Sequence, residues 1–322
     1  MLPPPEAAVA ADAGFRADVL AGLAARPRAI PARWFYDQAG SELFEAITDL
    51  PEYYPTRTET GILRRACPDV AERIGTGGAV VEFGSGSSTK TPTLLGAVQP
   101  AVYVPIDISG DFLRQSSAAL AADFPAVDVL PLEADFTQPL VLPPQVAGLR
   151  KLGFFPGSTI GNLTPAAAVD LLRAMRGSLG LGASLLIGMD RVKAREVLVP
   201  AYDDAAGVTA RFNLNLLERI NRELQGTIPV DAFRHVARWN DAAARIEMHL
   251  EAVRDVTFAV DGHPFQMAAG ETIHTENSHK YGERGGRLLL AAGGWTPVVE
   301  WTDPDGWFAL ILAEAREEPR AP

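Results

Sequence analysis

AVVEFGSGSST, from Ala79 to Thr89, is an apolar run that breaks into a glycine turn. Ala79, Val80, Val81 and Phe83 have the pattern of a buried strand, and Gly84 and Gly86 supply the turn. A Ser/Thr cluster ending in Lys90 then leads into a helix-like segment, Thr91 to Val98. A strand, a tight turn and a helix N-terminus form the usual seat of a nucleotide-like cofactor in an open α/β sheet. A second strand, Val102 to Ile106, ends in Asp107, which lies 23 residues beyond Gly84. That is close to the ~20-residue spacing at which an acid reaches a ribose hydroxyl.

Ser87 and Ser88 stand where a dinucleotide fingerprint places its third glycine. The pattern therefore argues against close approach of a pyrophosphate. S-adenosylmethionine fits, because it carries adenosine and a ribose but no phosphates. The turn alone is also compatible with a ligand-free connection; Glu82 before it and Asp107 after it favour a binding site.

The chain has 322 residues, 47% hydrophobic and 21% charged, with a net charge of −11. This is the composition of a globular protein of one large or two modest domains. The negative charge argues against nucleic acid or an anionic membrane as the main partner. A lone cysteine, Cys67, excludes an intrachain disulfide and reads as a packed thiol rather than a nucleophile. The five histidines do not fall into a metal-ligand spacing, so no metal is expected. No apolar run approaches the ~18 residues of a membrane span, and the N-terminus lacks the pattern of a secretory signal. A cytoplasmic protein is expected, with a mobile Ala/Pro-rich first dozen residues.

Strands are predicted at 79–83, 102–106, 128–132, 150–155 and 184–189, with helices between them, including 165–178. This alternation predicts a parallel sheet covered on both faces. Helices are also expected over 14–28, 41–48, about 59–74 and 191–225. Residues 233–262 alternate in strand fashion, and 287–292 and 307–312 read as returning core strands. The expected fold is thus α/β, a Rossmann-like sheet with an inserted α+β domain. The cofactor domain would be 59–190 plus 281–322. The substrate domain would be 1–58 plus 191–280, with the cleft between the two as the default site for a small substrate.

Several segments together resemble the bacterial histidine-specific, S-adenosylmethionine-dependent methyltransferases that make hercynine in ergothioneine biosynthesis. They are RWFYDQAGSELFEAITDLPEYYPTRTE, VEFGSGSSTKT, YVPIDIS, EADF, FFPGSTIGNL, AYDDAAGVTARFNLNLLERINREL, RIEMHL and HTENSHKYG, spread over residues 33–282. The resemblance implies a class I methyltransferase and a site built from matching positions. On the cofactor side these are Gly84, Gly86, Lys90, the ribose acid Asp107, and Asp135 and Phe136 beside the adenine. On the substrate side, Tyr53 and Tyr202 match tyrosines that hold the carboxylate. Tyr36 and Asn162, the expected catalytic pair, match residues around the α-amino group. Glu276 and Ser278 match the pair that grips the imidazole, and Met248 lines the ring pocket. L-histidine would be the substrate, with S-adenosylmethionine as co-substrate and the enzyme a monomer.

Methyl transfer from a sulfonium to an amine is an in-line displacement, so alignment should dominate and no metal or covalent intermediate is needed. A neutral imidazole offers one donor and one acceptor nitrogen, which suits a carboxylate paired with a hydroxyl. Bland readings exist for single motifs. HTENSHKYG alone fits a solvated loop, Tyr202-Asp203-Asp204 a helix N-terminus, and Met248 a core position. Other functions to weigh are an N-methyltransferase for another free amino acid, a non-catalytic S-adenosylmethionine-binding protein, and an NAD-linked dehydrogenase.

Overall fold

The computed structural model describes residues 12–86, 89–138 and 140–317. The turn serines Ser87 and Ser88, and the expected mobile segment except for Asp12, lie outside the described residues. The chain divides into two compact units. One comprises 50–198, 240–245 and 277–322; the other comprises 1–49, 199–239 and 246–276.

The first unit is built on an eight-stranded sheet. Its strand order is Thr296–Thr302, Phe308–Glu314, Ser184–Asp190, Lys151–Phe155, Ala79–Phe83, Val102–Asp107 and Asp128–Val129, with Leu132–Glu133 also pairing Val102–Asp107. From Ser184–Asp190 onward the pairs are parallel, and Phe308–Glu314 and Thr296–Thr302 join antiparallel. This is the Rossmann-like arrangement of class I methyltransferases, an open sheet whose order reverses at its first strand.

Strand alternation distributes the side chains to two cores. Val81, Phe83, Val104, Ile106, Ile187 and Met189 lie on one face, under the helices Pro165–Leu179 and Glu283–Ala292. Val80, Tyr103, Leu152, Phe154, Leu186 and Leu310 lie on the other, under Tyr54–Ile74 and Thr91–Val98. A parallel strand buried on both faces reads as a continuous apolar run, which is why AVVEF carries so strong a signal.

The second unit has a four-stranded sheet in the order Arg28–Ala29, Thr272–His279, Arg245–Ala252 and Phe233–Asn240, and a hairpin of Val256–Val260 with His263–Met267. The last residues of Thr272–His279, from Asn277, belong to the first unit. The helix Val208–Glu223 buries Phe212, Leu216, Leu217 and Ile220. Phe212 packs on Phe35 with ring centroids 4.6 Å apart. Among the described residues, no helix is long and apolar enough to cross a membrane.

Several expectations need correction. Residues 287–292 are not a strand but part of the helix Glu283–Ala292. Its packing face runs through Gly286, Leu289, Leu290 and Gly293. A Cβ at Gly286 would meet Met189 Sδ at 3.0 Å, and one at Gly293 would meet Leu172 Cβ at 2.4 Å. Glycines where the helix touches its neighbours erase half of the apolar stripe, and three consecutive leucines mimic a strand. The expected helix 191–225 is only Arg195–Leu198 and Val208–Glu223. Pro200 biases its predecessor away from helix, and Gly207 at φ 67° sets the second start. The helix expected over 14–28 stops at Ala24, and Arg28–Ala29 pair as a strand beyond Pro27. The expected strand 128–132 is two short pieces, broken at Pro131, which has no N–H for the ladder. The helix expected from 59 begins at Tyr54, with Pro55 in its first turn.

The corrected helix makes a testable distinction. Leu288 is 57% exposed and Leu290 is 0% exposed, although both would face one way in a strand. Leu288→Lys should change stability by less than about 0.5 kcal/mol, and Leu290→Ala should cost about 2–5 kcal/mol. Urea unfolding of the two variants checks this; equal losses would favour the strand.

Candidate active site

In the sheet unit, the matching residues gather at the C-terminal ends of the parallel strands, where open sheets bind ligands. Gly84 and Gly86 both have positive φ, 70° and 50°. Gly86 N–H donates to Asp107 Oδ2 at 3.0 Å and Ser109 N–H to Oδ1 at 2.9 Å, so the turn and the next helix start fix this carboxylate. A Cβ on Gly84 would approach Phe136 to 3.3 Å, so the phenyl ring closes on the turn. Phe136 also packs edge-on to Phe155 at 5.8 Å. Asp135 accepts from the backbone and hydroxyl of Thr137 at 2.9 and 2.6 Å.

Three buried acids support this edge. Glu82 is 1% exposed and accepts from Tyr103 Oη at 2.6 Å and Thr91 Oγ1 at 2.7 Å. Burial pushes its carboxyl up to about 7, and the two hydroxyls only partly offset this. Glu59 is paired with the Lys90 ammonium and accepts from Gly157 N–H at 2.8 Å. The structure thus brings Lys90 to the helix start as expected, with its charge held by Glu59. Asp190 is fully buried and takes Lys193 Nζ at 2.5 Å, Lys280 Nζ at 2.7 Å and Tyr54 Oη at 2.7 Å. Burial opposes its charge, but the two lysines outweigh burial and hold the carboxyl below its ordinary value. Burial also brings Lys193 down to about 8.

Tyr53, 8% exposed, caps the helix that Tyr54 opens. Asn162 ends the short 3-10 helix Thr159–Asn162, which follows Ser158 in the left-handed region at φ 56°. Asn162 is half-buried. Ser278 is buried and accepts from Lys280 Nζ at 2.8 Å. Cys67 is packed in the core, where burial pushes its thiol up to about 11, so it is no nucleophile.

In the other unit, the Tyr36 ring meets Phe44 and Phe212 edge-on at 5.7 and 5.9 Å. The following residue, Asp37, caps the helix Gln38–Thr48 and accepts from Asn215 at 2.8 Å and Arg222 at 2.6 Å. Tyr202 is buried, and its carbonyl is bound by His235 Nε2 at 2.7 Å. Nδ1 of the same ring contacts Asn213 Nδ2 at 2.8 Å. Burial holds His235 below its ordinary value. The ring is therefore neutral, protonated on Nε2 and accepting at Nδ1. Asn213 Oδ1 in turn accepts from Thr275 Oγ1 at 2.8 Å, beside Glu276. This network ties Tyr202 to the strand that carries Glu276.

Met248 is 2% exposed and shares its side of Arg245–Ala252 with Ile246 and Leu250. His249 points to the other side and stacks on His274 at 4.8 Å. HTENSH is strand rather than a solvated loop. The helix-capping reading holds for Asp204, which accepts from Val208 and Thr209 N–H at 2.9 and 2.8 Å. Among the described residues, no group of His, Cys, Asp and Glu could hold a metal ion.

A family model described as histidine-specific, SAM-dependent methyltransferase matches residues 15–315. The chain belongs to this family. A protein named histidine N-alpha-methyltransferase from Mycolicibacterium smegmatis is 46% identical, over 95% of this chain and 97% of its own. One of the same name from Mycobacterium tuberculosis is 44% identical, over 94% and 96%. Ergothioneine biosynthesis protein 1 of Neurospora crassa is 27% identical over 90% of this chain, which spans 34% of that protein.

Sequence reasoning missed the residues that support the candidate site. Glu59 closes the quoted segment PEYYPTRTE and Asp190 follows the predicted strand 184–189, but Lys90 and Lys280, which pair with them, lie far away in sequence; only Lys193 is a near neighbour of Asp190. His235 and Asn213 carried no signal, since a neutral histidine in a core network has no spacing rule.

Glu82 gives a pH dependence whose sign is fixed. Its folded value, about 7, lies above the unfolded 4.5. The folded state therefore binds more protons between these values, and the stabilisation is full below pH 4.5 and lost as pH rises through about 7. The difference is up to about 3 kcal/mol. Glu82→Gln should flatten the fall in unfolding free energy between pH 5 and 8 relative to the parent, measured in denaturant titrations; parallel curves would refute it.

Proposed function

We propose that this methyltransferase moves methyl groups from S-adenosylmethionine to the α-amino nitrogen of L-histidine. It does so three times, giving hercynine for ergothioneine biosynthesis. The observation that carries the reading is Glu276 and Ser278, two residues apart on one strand, in a chain of the histidine-specific family. A carboxylate only accepts and a hydroxyl can donate, which matches the two nitrogens of a neutral imidazole.

In this reading Asp107 binds the ribose hydroxyls, already oriented by Gly86 and Ser109 N–H. Asp135 and Phe136 flank the adenine, and Gly84, Gly86 and Lys90 complete the cofactor side. Tyr53 and Tyr202 hold the substrate carboxylate, and Met248 lines the ring pocket. Asn162 and Tyr36 address the amine. The Asn162 side chain makes no hydrogen bond among the described residues, so its Oδ1 is available to orient the amine lone pair. That lone pair forms the bond to the methyl carbon as the carbon–sulfur bond breaks, and S-adenosylhomocysteine leaves. The amine sheds one proton before each of the first two transfers and one more before the third. Tyr36 or water relays these protons to solvent. Alignment of the two reactants is the main contribution asked of the protein. The quaternary product has no N–H, and the Tyr36 ring offers it cation–π contact. The chain would work as a cytoplasmic monomer on a small molecule, without nucleic acid or membrane, which its net charge of −11 supports.

Glu276→Ala should lower kcat/KM for histidine about 10- to 100-fold, the worth of one hydrogen bond to a charged group. It should also narrow the preference for histidine over phenylalanine and tryptophan. Steady-state kinetics with the three amino acids tests this. Unchanged kinetics with histidine would remove Glu276 from the ring site, and a parent enzyme that prefers another amino acid would select the runner-up substrate.

A further inference from the structure

Residues 199–207 run through turns before the helix Val208–Glu223 begins, so neither a ladder nor a helix fixes the main chain of Tyr202. Its N–H donates to Val199 O at 2.9 Å, and its carbonyl accepts from His235 Nε2 at 2.7 Å. A carbonyl only accepts, so Nε2 carries the ring proton. Asn213 is fully buried, and its amide nitrogen reaches His249 O at 3.1 Å and His235 Nδ1 at 2.8 Å. Both amide protons are thereby used, and Nδ1 is the accepting nitrogen. Asn213 Oδ1 accepts from Thr275 Oγ1 at 2.8 Å, one residue before Glu276. A second ring proton on His235 would set donor against donor at Asn213, so the line holds only with a neutral imidazole.

We propose that His235 is a positioning residue for the substrate carboxylate, which anchors the main chain of Tyr202 and, through Asn213, sets it against the strand that carries Glu276. The inference rests on the histidine reading above, in which Tyr202 takes the carboxylate and Glu276 the ring. The two ends differ in what else holds them. Thr272–His279 is paired with Arg28–Ala29 on one side and Arg245–Ala252 on the other, so Glu276 keeps its place without the imidazole. Tyr202 lies in a turn and depends on the bond to its carbonyl. Loss of the Nε2 donor should therefore weaken the grip on the carboxylate and spare the grip on the ring. The carboxylate takes no part in the displacement and is held alike before and during methyl transfer. Such a loss raises KM and leaves kcat in place.

The test compares His235→Asn with His235→Gln. The Asn amide reaches only the Nδ1 position and loses the Tyr202 carbonyl, whereas the Gln amide reaches the Nε2 position and can still donate to it. His235→Asn should raise KM for histidine about tenfold, the order of one hydrogen bond to a carboxylate, with kcat within about twofold. His235→Gln should stay within about threefold of the parent in both. Inhibition by histamine, which is histidine without its carboxylate, should be unchanged in either variant. A KM for His235→Asn within twofold of the parent would overturn the proposal, as would a parallel loss of histamine inhibition, which marks general loosening of the unit. The parent protein supplies a second reading that no folding defect can obscure. With its histidines labelled with 15N in the ring, His235 should carry one proton, on Nε2, at pH 7.5, and its signal should move when histidine binds but not when histamine does. A doubly protonated ring, or a signal that ignores histidine, would overturn it. A parent protein that neither binds nor methylates histidine would instead overturn the function beneath it.

Discussion

The carboxylate of Asp190 is the constraint around which the ligand-binding edge of the sheet is arranged. It ends the strand Ser184–Asp190 with no exposure to water. A buried carboxylate is tolerable only when it is paired and hydrogen-bonded. Two lysines and a tyrosine converge on it, from Lys193, Lys280 and Tyr54. Its backbone is engaged as well, with Tyr281 N–H bound to its carbonyl at 2.8 Å and Ser158 Oγ bound to its N–H. Removing one partner of such a group typically costs about 3–5 kcal/mol, because a charge is left buried and unpaired. Positions assigned to the proposed site are thereby placed: Tyr53 beside Tyr54, the Thr159–Asn162 turn after Ser158, and Ser278 two residues before Lys280.

Glu59 and Glu82 do the same for the neighbouring strand ends. Glu59 joins Lys90 to Gly157, and the strand beside it must leave room. A Cβ at Gly188 would meet Glu59 Oε1 at 2.0 Å. Glu82 joins Tyr103 to Thr91 beneath the glycine turn. Buried acids thus stitch adjacent loops into a rigid edge. Such an edge suits a displacement between two small molecules, in which little new charge develops and the alignment of nitrogen, carbon and sulfur sets the rate.

Much of the sheet unit was legible because its strands are short apolar runs bounded by turns. The glycine turn and Asp107 were legible because the glycines sit at positive φ and the acid closes the next strand. The helix Glu283–Ala292 was not, since Gly286 and Gly293 sit where its apolar stripe should be. The residues proposed for the substrate were singled out only through resemblance to a family, as nothing in the spacing of Tyr36, Tyr202 and Glu276 announces a shared role. The pairing of Asp190 with Lys280 was illegible for a different reason. A buried ion pair between Asp190 and Lys280 joins residues 90 apart in sequence, and no local pattern marks it.

The central claim is that the α-nitrogen of histidine is the methyl acceptor. Mass spectrometry of histidine incubated with the protein and S-adenosylmethionine tests it most directly, with fragmentation to locate each added group. The account predicts successive products carrying one, two and three methyl groups, all on the α-nitrogen. Methylation of an imidazole nitrogen, or no gain on histidine alongside gain on another amino acid, would contradict it.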